Sequence, residues 1–337
     1  MDPISQGIVG AVLAQSKAKK NSIIKIGVIG FMAGMAPDLD VLIKSSTDPI
    51  LSLEYHRQFT HSLLFIPFGA MIVALMIFPL IKRSLSFKTV YLASFLGYAT
   101  HGLLDACTSY GTLLYWPLSN ERVTWNSISV VDPLFTIPII VLVLTAMITR
   151  KRLFSFFAIG WMTFYLLLGF VQYERALSVA TELAHSRGHK PERLTLKPSF
   201  GNLILWKSIY QYEERFYVDA IRTTRSSTWC LGENIRVFDY QYHLPNLEKD
   251  SQQRKDIERF RWFSQDYLGF DDDKNLVTDV RYSMIPNQIA PMWGLVIDVK
   301  RGMKEHAIWW TSRGLEQSQL SLFKDMLSGK NCINNQR

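Results

Sequence analysis

Residues 54–83 read EYHRQFTHSLLFIPFGAMIVALMIFPLIKR. The stretch changes character at Ser62. Before it lie Glu54, His56, Arg57 and His61; from 62 to 81 there is no charge, and Lys82 and Arg83 close the run. Twenty apolar residues wound as an α-helix at about 1.5 Å per residue cross the roughly 30 Å hydrocarbon core of a bilayer. The run therefore reads as a transmembrane helix with two imidazoles and one carboxylate at its entrance.

Working outward, residues 23–43, 89–107, 128–148 and 153–171 have similar apolar character, which brings the expected number of spans to about five. Residues 1–16 carry a helical stripe of Ile4, Ile8, Val12 and Leu13, too short for a span and expected as a short helix buried against the bundle. The fold class that follows is a multi-pass α-helical membrane domain over 1–171, then a small α+β soluble domain over 172–337.

Composition supports that division once it is read by position. The 337 residues are 48% hydrophobic with a mean hydropathy of +0.06, an ordinary average that conceals two solvents. Through Val171 there are 13 Lys and Arg against 8 Asp and Glu; beyond it there are 24 and 21. Disorder, collagen-like sequence and a disulfide-stapled mini-protein are excluded, the last because the chain has only three cysteines. No secretory signal peptide is expected, since Gln6, Gln15 and Ser16 interrupt the first apolar run.

The net charge of +8 is not read as a nucleic-acid signature. Lys17, Lys19, Lys20, Lys25, Lys82, Arg83, Lys88, Arg150, Lys151 and Arg152 all fall on one side of the alternating spans, which the positive-inside rule makes cytoplasmic. The opposite side collects Asp38, Asp40, Asp48, Glu54, Asp105, Glu121 and Asp132. On that alternation the chain leaves the fifth span outside the cytoplasm, and the second domain is expected there.

Drawn this way, the topology gathers possible ligands at one membrane depth. Asp38 and Asp40 end the first long span, His56 and His61 precede the second, His101 and Asp105 are i, i+4 near the end of the third, and Asp132 opens the fourth. Imidazole with carboxylate is the ligand set of zinc, manganese or iron, and seven candidates exceed one tetrahedral site, so a two-metal centre is the sharper expectation. Without a cation so many carboxylates at the bilayer edge would repel one another. Against this, single His or Asp residues at helix ends are ordinarily caps or interfacial hydrogen-bond partners, and Asp132 before Pro133 fits capping chemistry. Arg57 can meet an anionic group or a lipid headgroup, and Glu54 can be a base or a solvated loop charge. Trp116, Trp125, Tyr110 and Tyr115 read first as an interfacial aromatic belt.

The residues Met1-Asp2-Pro3-Ile4-Ser5-Gln6, Ala36-Pro37-Asp38-Leu39-Asp40, His56 to Ser62, Thr100 to Asp105, Thr108 to Thr112 and Val131 to Leu134 together resemble the membrane-bound metal-dependent hydrolases, also labelled LexA-binding, inner-membrane-associated or YdjM-like. The resemblance covers about the first 170 residues. It implies a bacterial inner-membrane protein, a divalent metal held by the histidines and aspartates above, and a hydrolytic reaction. Some members of the family place His where this chain has Gln6; if that His is a ligand there, the site here has one ligand fewer, although the amide oxygen of Gln6 can still bind a hard metal.

In the second half, 203–209 and 215–221 alternate and read as a strand pair turning at Tyr212-Glu213-Glu214. Residues 237–242, 277–283 and 293–299 read as further strands, and 250–267 as a helix with Ile257, Phe260, Phe263 and Tyr267 on one stripe. Residues 174–197 read as polar helix or linker. His185, His189, His243 and His306 form no recognisable metal spacing, and Asp271-Asp272-Asp273 reads as a solvated turn. Cys230 and Cys332 can pair if the domain is outside the cytoplasm, although spacing alone cannot place them within reach.

The functional expectation is an integral membrane hydrolase acting on an ester or phosphoester of an amphiphilic small molecule at the outer leaflet, in contact with membrane lipid. Metal-activated water is its nucleophile, with zinc or manganese favoured. Two rival classes use the same residues: a protein that binds a cation in transit, and a non-catalytic envelope scaffold. No nucleic-acid partner is expected, and no partner protein is identifiable.

Overall fold

A computed structural model describes residues 1–314, 316–330 and 332–334. The chain divides into two compact units. The first comprises residues 1–43, 55–171 and 200–202, and the second 44–54, 172–199 and 203–337.

The first unit is helical: α1 (Pro3–Ser16), α2 (Ile23–Met35), then a short α3 (Leu51–Tyr55) that begins in the second unit, α4 (Ile66–Ile81), α5 (Phe87–Ala106), α6 (Pro133–Thr149) and α7 (Leu153–Ser186). Among the described residues three stretches are long and apolar enough to cross a membrane, Lys20–Leu42, Leu63–Ile81 and Leu153–Ser186. The segment expected at 128–148 forms α6, apolar but only 17 residues long. The segment at 89–107 forms α5, whose inward face carries Ser94, Tyr98, Thr100, His101 and Asp105.

Packing in this unit is inside-out relative to a soluble bundle. Helix α4 buries Gly69, Ala70, Val73, Ala74 and Ile77, while Phe68, Ile72, Leu75, Met76 and Leu80 face outward. Large apolar side chains outside and small ones between helices is the pattern of a lipid-facing bundle, where close backbone approach replaces a hydrophobic drive. Helix α1 is the clearest case. It is buried nearly all round, as expected: Ile8 and Val12 of the apolar stripe are buried and Ile4 is exposed, while Gly7, Gly10 and Ala14 lie against α2. A Cβ at Gly10 would come within 2.4 Å of the Gly30 carbonyl, so α1 and α2 touch through their main chains.

The second unit takes the last turns of α7 and two antiparallel sheets. The six-stranded sheet runs β1 (Arg193–Pro198), β2 (Leu205–Tyr212), β3 (Arg215–Thr223), β4 (Ser227–Cys230) and, last in sequence, β10 (Ile333–Asn334), with β5 (Asn234–Arg236) also paired to β3. After the short α8 (Tyr240–His243) and α9 (Gln252–Phe263) come the four strands of the other sheet. These are β6 (Leu268–Asp271), β7 (Leu276–Asp279), β8 (Trp293–Val296) and β9 (Ile308–Thr311); α10 (Gln317–Ser328) follows.

The β2–β3 hairpin turns through two residues, with Tyr212 opposite Arg215 and Glu213 at φ 53°. Helix α9 starts where the Ser251 hydroxyl accepts from the Arg254 amide, and buries Ile257, Phe260 and Phe263. Three readings change. Residues 237–242 are not a strand: the Asp239 carboxylate accepts from the Tyr242 amide and caps α8 instead. Residues 174–197, expected as helix or linker, are helical as far as Ser186, where α7 ends, but their last part is the strand β1. The strand at 277–283 stops at Asp279, whose carboxylate turns back onto the Arg281 amide and guanidinium. Cys230 and Cys332 form a disulfide.

Candidate metal centre

The first unit brings Asp38, Asp40, His56, His61, His101 and Asp105 together. Pro37 opens a 3₁₀ segment, Ala36–Leu42, that carries Asp38 and Asp40 off the end of α2. A second 3₁₀ turn, Phe59–His61, precedes α4, and His101 and Asp105 stand one turn apart on α5. A Cβ at Gly102 would lie 2.2 Å from the His61 carbonyl. Glycine there lets the His61 turn lie against α5 and brings the two imidazoles together.

His61 Nε2 and His101 Nε2 face each other at 2.8 Å. Asp38 Oδ1 is 3.5 Å from the first and 3.3 Å from the second, and Asp105 Oδ2 is 3.3 and 3.7 Å away. All four ligand-capable atoms lie within 4.8 Å of one another. Tetrahedral zinc with 2.0–2.1 Å bonds keeps its ligands about 3.3 Å apart, so these spacings suit one ion. Asp105 Oδ2 is buried and accepts no well-aligned hydrogen bond, although Arg57 Nε lies 3.1 Å from it as an ion pair. His61, His101 and Asp105 are fully enclosed, whereas the Asp38 side chain is 19% exposed, so exchange with the surroundings passes Asp38.

The outer nitrogens of both rings are occupied in the manner of metal-binding histidines. His101 Nδ1 donates to the Gly34 carbonyl at 2.5 Å, which leaves its Nε2 lone pair for the cluster. His61 Nδ1 lies 3.0 Å from Thr60 Oγ1 and 3.3 Å from Asp40 Oδ2. Burial pulls the His61 pKa down, but the Asp105, Asp38 and Asp40 carboxylates outweigh it and hold the ring up at about 9. The pocket thus draws positive charge.

Asp40 orients rather than joins the tight group. Its Oδ2 accepts from the Arg57 amide at 3.0 Å and from the Thr60 hydroxyl at 2.8 Å, and its Oδ1 meets His56 Nδ1 at 2.7 Å. Asp38, Asp40 and His56 form a second group of potential ligands that shares Asp38 with the first. Arg57 takes a left-handed backbone, φ 64°, that turns its amide to Asp40 while its Nε lies 3.1 Å from Asp105 Oδ2. Its guanidinium donates to Thr108 Oγ1 and lies over the Tyr110 ring at 4.7 Å.

Two expected site residues lie elsewhere. Asp132 caps α6, accepting from the Leu134 and Phe135 amides and from the Tyr165 hydroxyl. Glu54 belongs to the second unit, where Arg259 holds it and Asp48 together. Sequence reasoning missed the Met1 amine, which pairs with Asp105, and the Gly34 carbonyl behind His101. Neither has a side-chain signal. Gln6 was legible only as a departure from the family pattern. Its amide nitrogen donates to Asp105 Oδ1 at 2.8 Å, and its carbonyl oxygen is a buried acceptor with no hydrogen-bond partner.

The family model described as YdjM inner membrane protein matches residues 1–176, which contain every residue of this cluster. The chain belongs to the YdjM inner membrane protein family. No curated protein and no solved structure matches it. Family membership and the outward-facing apolar helices make this a membrane protein, with a sheet-containing C-terminal domain that extends beyond the matched residues.

Proposed function

We propose that the chain is a multi-pass inner-membrane hydrolase whose divalent metal is held by Asp38, His61, His101 and Asp105. The observation that carries the reading is the opposed pair of histidine Nε2 atoms at 2.8 Å with two carboxylates beside them and both Nδ1 atoms engaged from behind. A bound divalent ion of this kind supplies Lewis acidity and a water acidified towards neutrality. The chain's own residues do the rest. Asp40 and Thr60 hold the His61 ring, the Gly34 carbonyl fixes the His101 tautomer, and Asp38 lines the way in. Arg57 offers a buried positive charge beside Asp105 to an anionic ester or phosphoester.

The favoured metal is zinc or manganese, at one ion in the tight group. A second ion at Asp38, Asp40 and His56 requires Asp40 to release hydrogen bonds it already makes. An amphiphilic substrate follows from placing these residues at the end of apolar spans. The reading keeps about five spans and a C-terminal domain outside the cytoplasm; the Cys230–Cys332 disulfide, at home in an oxidising compartment, supports that side.

The test is hydrolysis of a panel of lipid-like esters and phosphoesters by detergent-purified protein. Activity is expected to vanish with a chelator, return with added zinc or manganese, and be absent from His61→Ala. Activity indifferent to chelation would sink the metal role. For orientation, a reporter that works only outside the cytoplasm, fused after Arg337, is expected to be active; one that works only inside would overturn the topology.

A further inference from the structure

The second unit holds a lysine in an unusual place. Lys207 sits mid-strand on β2, 4% exposed, opposite Lys197 of β1, itself 6% exposed. Its ammonium position is defined by two contacts: Nζ is 2.6 Å from Ser283 Oγ and 2.7 Å from the Gln288 carbonyl. Among the described residues no carboxylate forms an ion pair with it. A lysine with this surrounding is costly to keep charged, since a buried cation needs an anion and finds only neutral oxygens.

Its hydroxyl partner is suited to the complementary role. Ser283 follows β7 on an irregular segment and is partly exposed, while Lys207 approaches its Oγ from within the fold. The hydroxyl donates to the Ile285 carbonyl at 2.7 Å while Nζ donates to Oγ; once the amine is neutral, rotation about Cβ–Oγ turns the hydroxyl proton to its lone pair. A serine within hydrogen-bond reach of a desolvated amine is the arrangement in which a neutral lysine serves as general base.

We propose that Ser283 and Lys207 form a nucleophile–base pair for acyl transfer, acting on a molecule with an ester or amide carbonyl, in a site separate from the metal centre. Ser283 Oγ attacks the carbonyl carbon as its proton passes to Lys207 Nζ, and a tetrahedral adduct forms. Its collapse breaks the bond to the leaving alcohol or amine, which takes that proton from Lys207 and departs, leaving an acyl ester on Ser283. Water, deprotonated by the neutral Lys207, attacks the ester; the proton returns to Ser283, and a carboxylic acid is released. The atoms balance with water as the sole co-reactant.

Burial pulls the Lys207 pKa from its ordinary value near 10.5 down to about 7; Glu233 and Asp279 oppose that shift. The charged groups around it are Lys197 on β1, Glu233 before β5, Asp279 at the end of β7, and Arg281, which pairs with Asp279 at 2.7 Å. As pH rises through 7 the amine becomes neutral and able to accept a proton, so Ser283 reactivity should rise with it.

The experiment labels the full-length protein in detergent with an alkyl fluorophosphonate and locates the adduct by peptide mass spectrometry. Ser283 is expected to label with a midpoint near pH 7 and to be unaffected by chelators, which separates this pair from the metal centre. Lys207→Met, which keeps the aliphatic volume, is expected to reduce the labelling rate about 100-fold, and Ser283→Ala to remove the adduct. Should Lys207→Met not fold, competitive acetylation of the unaltered protein measures the amine directly, and Lys207 is expected to react as an amine half neutral near pH 7. Ser283 labelling no faster than surface serines, labelling indifferent to Lys207→Met, or a Lys207 that titrates near 10 would each overturn the proposal.

Discussion

Detergent-purified protein, freed of loosely held ions, is expected to retain about one zinc or manganese ion per chain, while His61→Ala with His101→Ala retains none. The two substitutions remove both imidazoles from a group whose other members are Asp38 and Asp105. Two carboxylates alone still attract a cation, but weakly and in exchange with solvent, because Asp38 is part-exposed and its separation from the enclosed Asp105 is no longer bridged by nitrogen ligands. Asp40→Asn separates the orienting role from the binding one. It leaves all four ligand atoms in place yet loses the charge behind His61, so metal affinity should fall about 10–100-fold rather than disappear. Elemental analysis with isothermal titration reads all three proteins. Metal-free wild type, or a double variant that keeps its ion, would remove the basis of the hydrolase reading. Two ions per chain would instead bring Asp40 and His56 into the ligand set.

The second large effect concerns the disulfide. Cys230 ends β4 and Cys332 lies 102 positions later, just before β10, which pairs with β4. The bond closes most of the second unit into one loop. Under the chain-entropy account, a loop of that length stabilises the folded state by about 4–5 kcal/mol relative to an open chain. Cys230→Ser is therefore expected to lower the unfolding temperature of the second unit by about 8–20 °C, at roughly 2–4 °C per kcal/mol for a domain of this size, without changing metal content. Differential scanning fluorimetry under oxidising and reducing conditions measures it. Equal melting temperatures for Cys230→Ser and the oxidised wild type would show that the two sheets hold the domain without the bond.

Much of the site was legible because its signals are local. His101 and Asp105 declare themselves by i, i+4 spacing on an apolar helix, and charges at the end of an apolar run demand a partner wherever the chain finds one. Asp132 shows the limit of that logic. The same residue type at the end of another apolar run serves as a cap, because Pro133 starts a helix whose free amides lie within its reach. Glu54 shows it again, as Arg259 lies 205 residues away in sequence and gives no local sign of claiming that carboxylate. The Lys207–Ser283 pair went unseen for the same reason: a lysine in an alternating strand reads as a solvated position until another element covers it.

The sequence by itself determined that the first half is apolar helix and the second a mixed sheet domain, since hydropathy and period are properties of neighbouring residues. It also determined the residue types gathered near the ends of the apolar runs. Only the tertiary structure decided which of them meet. The Gly102 contact brings His61 onto α5, the Gly10–Gly30 approach sets α1 against α2, and Asp40 stands behind an imidazole rather than beside it. Those outcomes depend on main-chain atoms and on long-range packing, which carry no side-chain pattern to read. The charges that end the apolar runs therefore marked where a site would form, while the backbone contacts between helices selected its members.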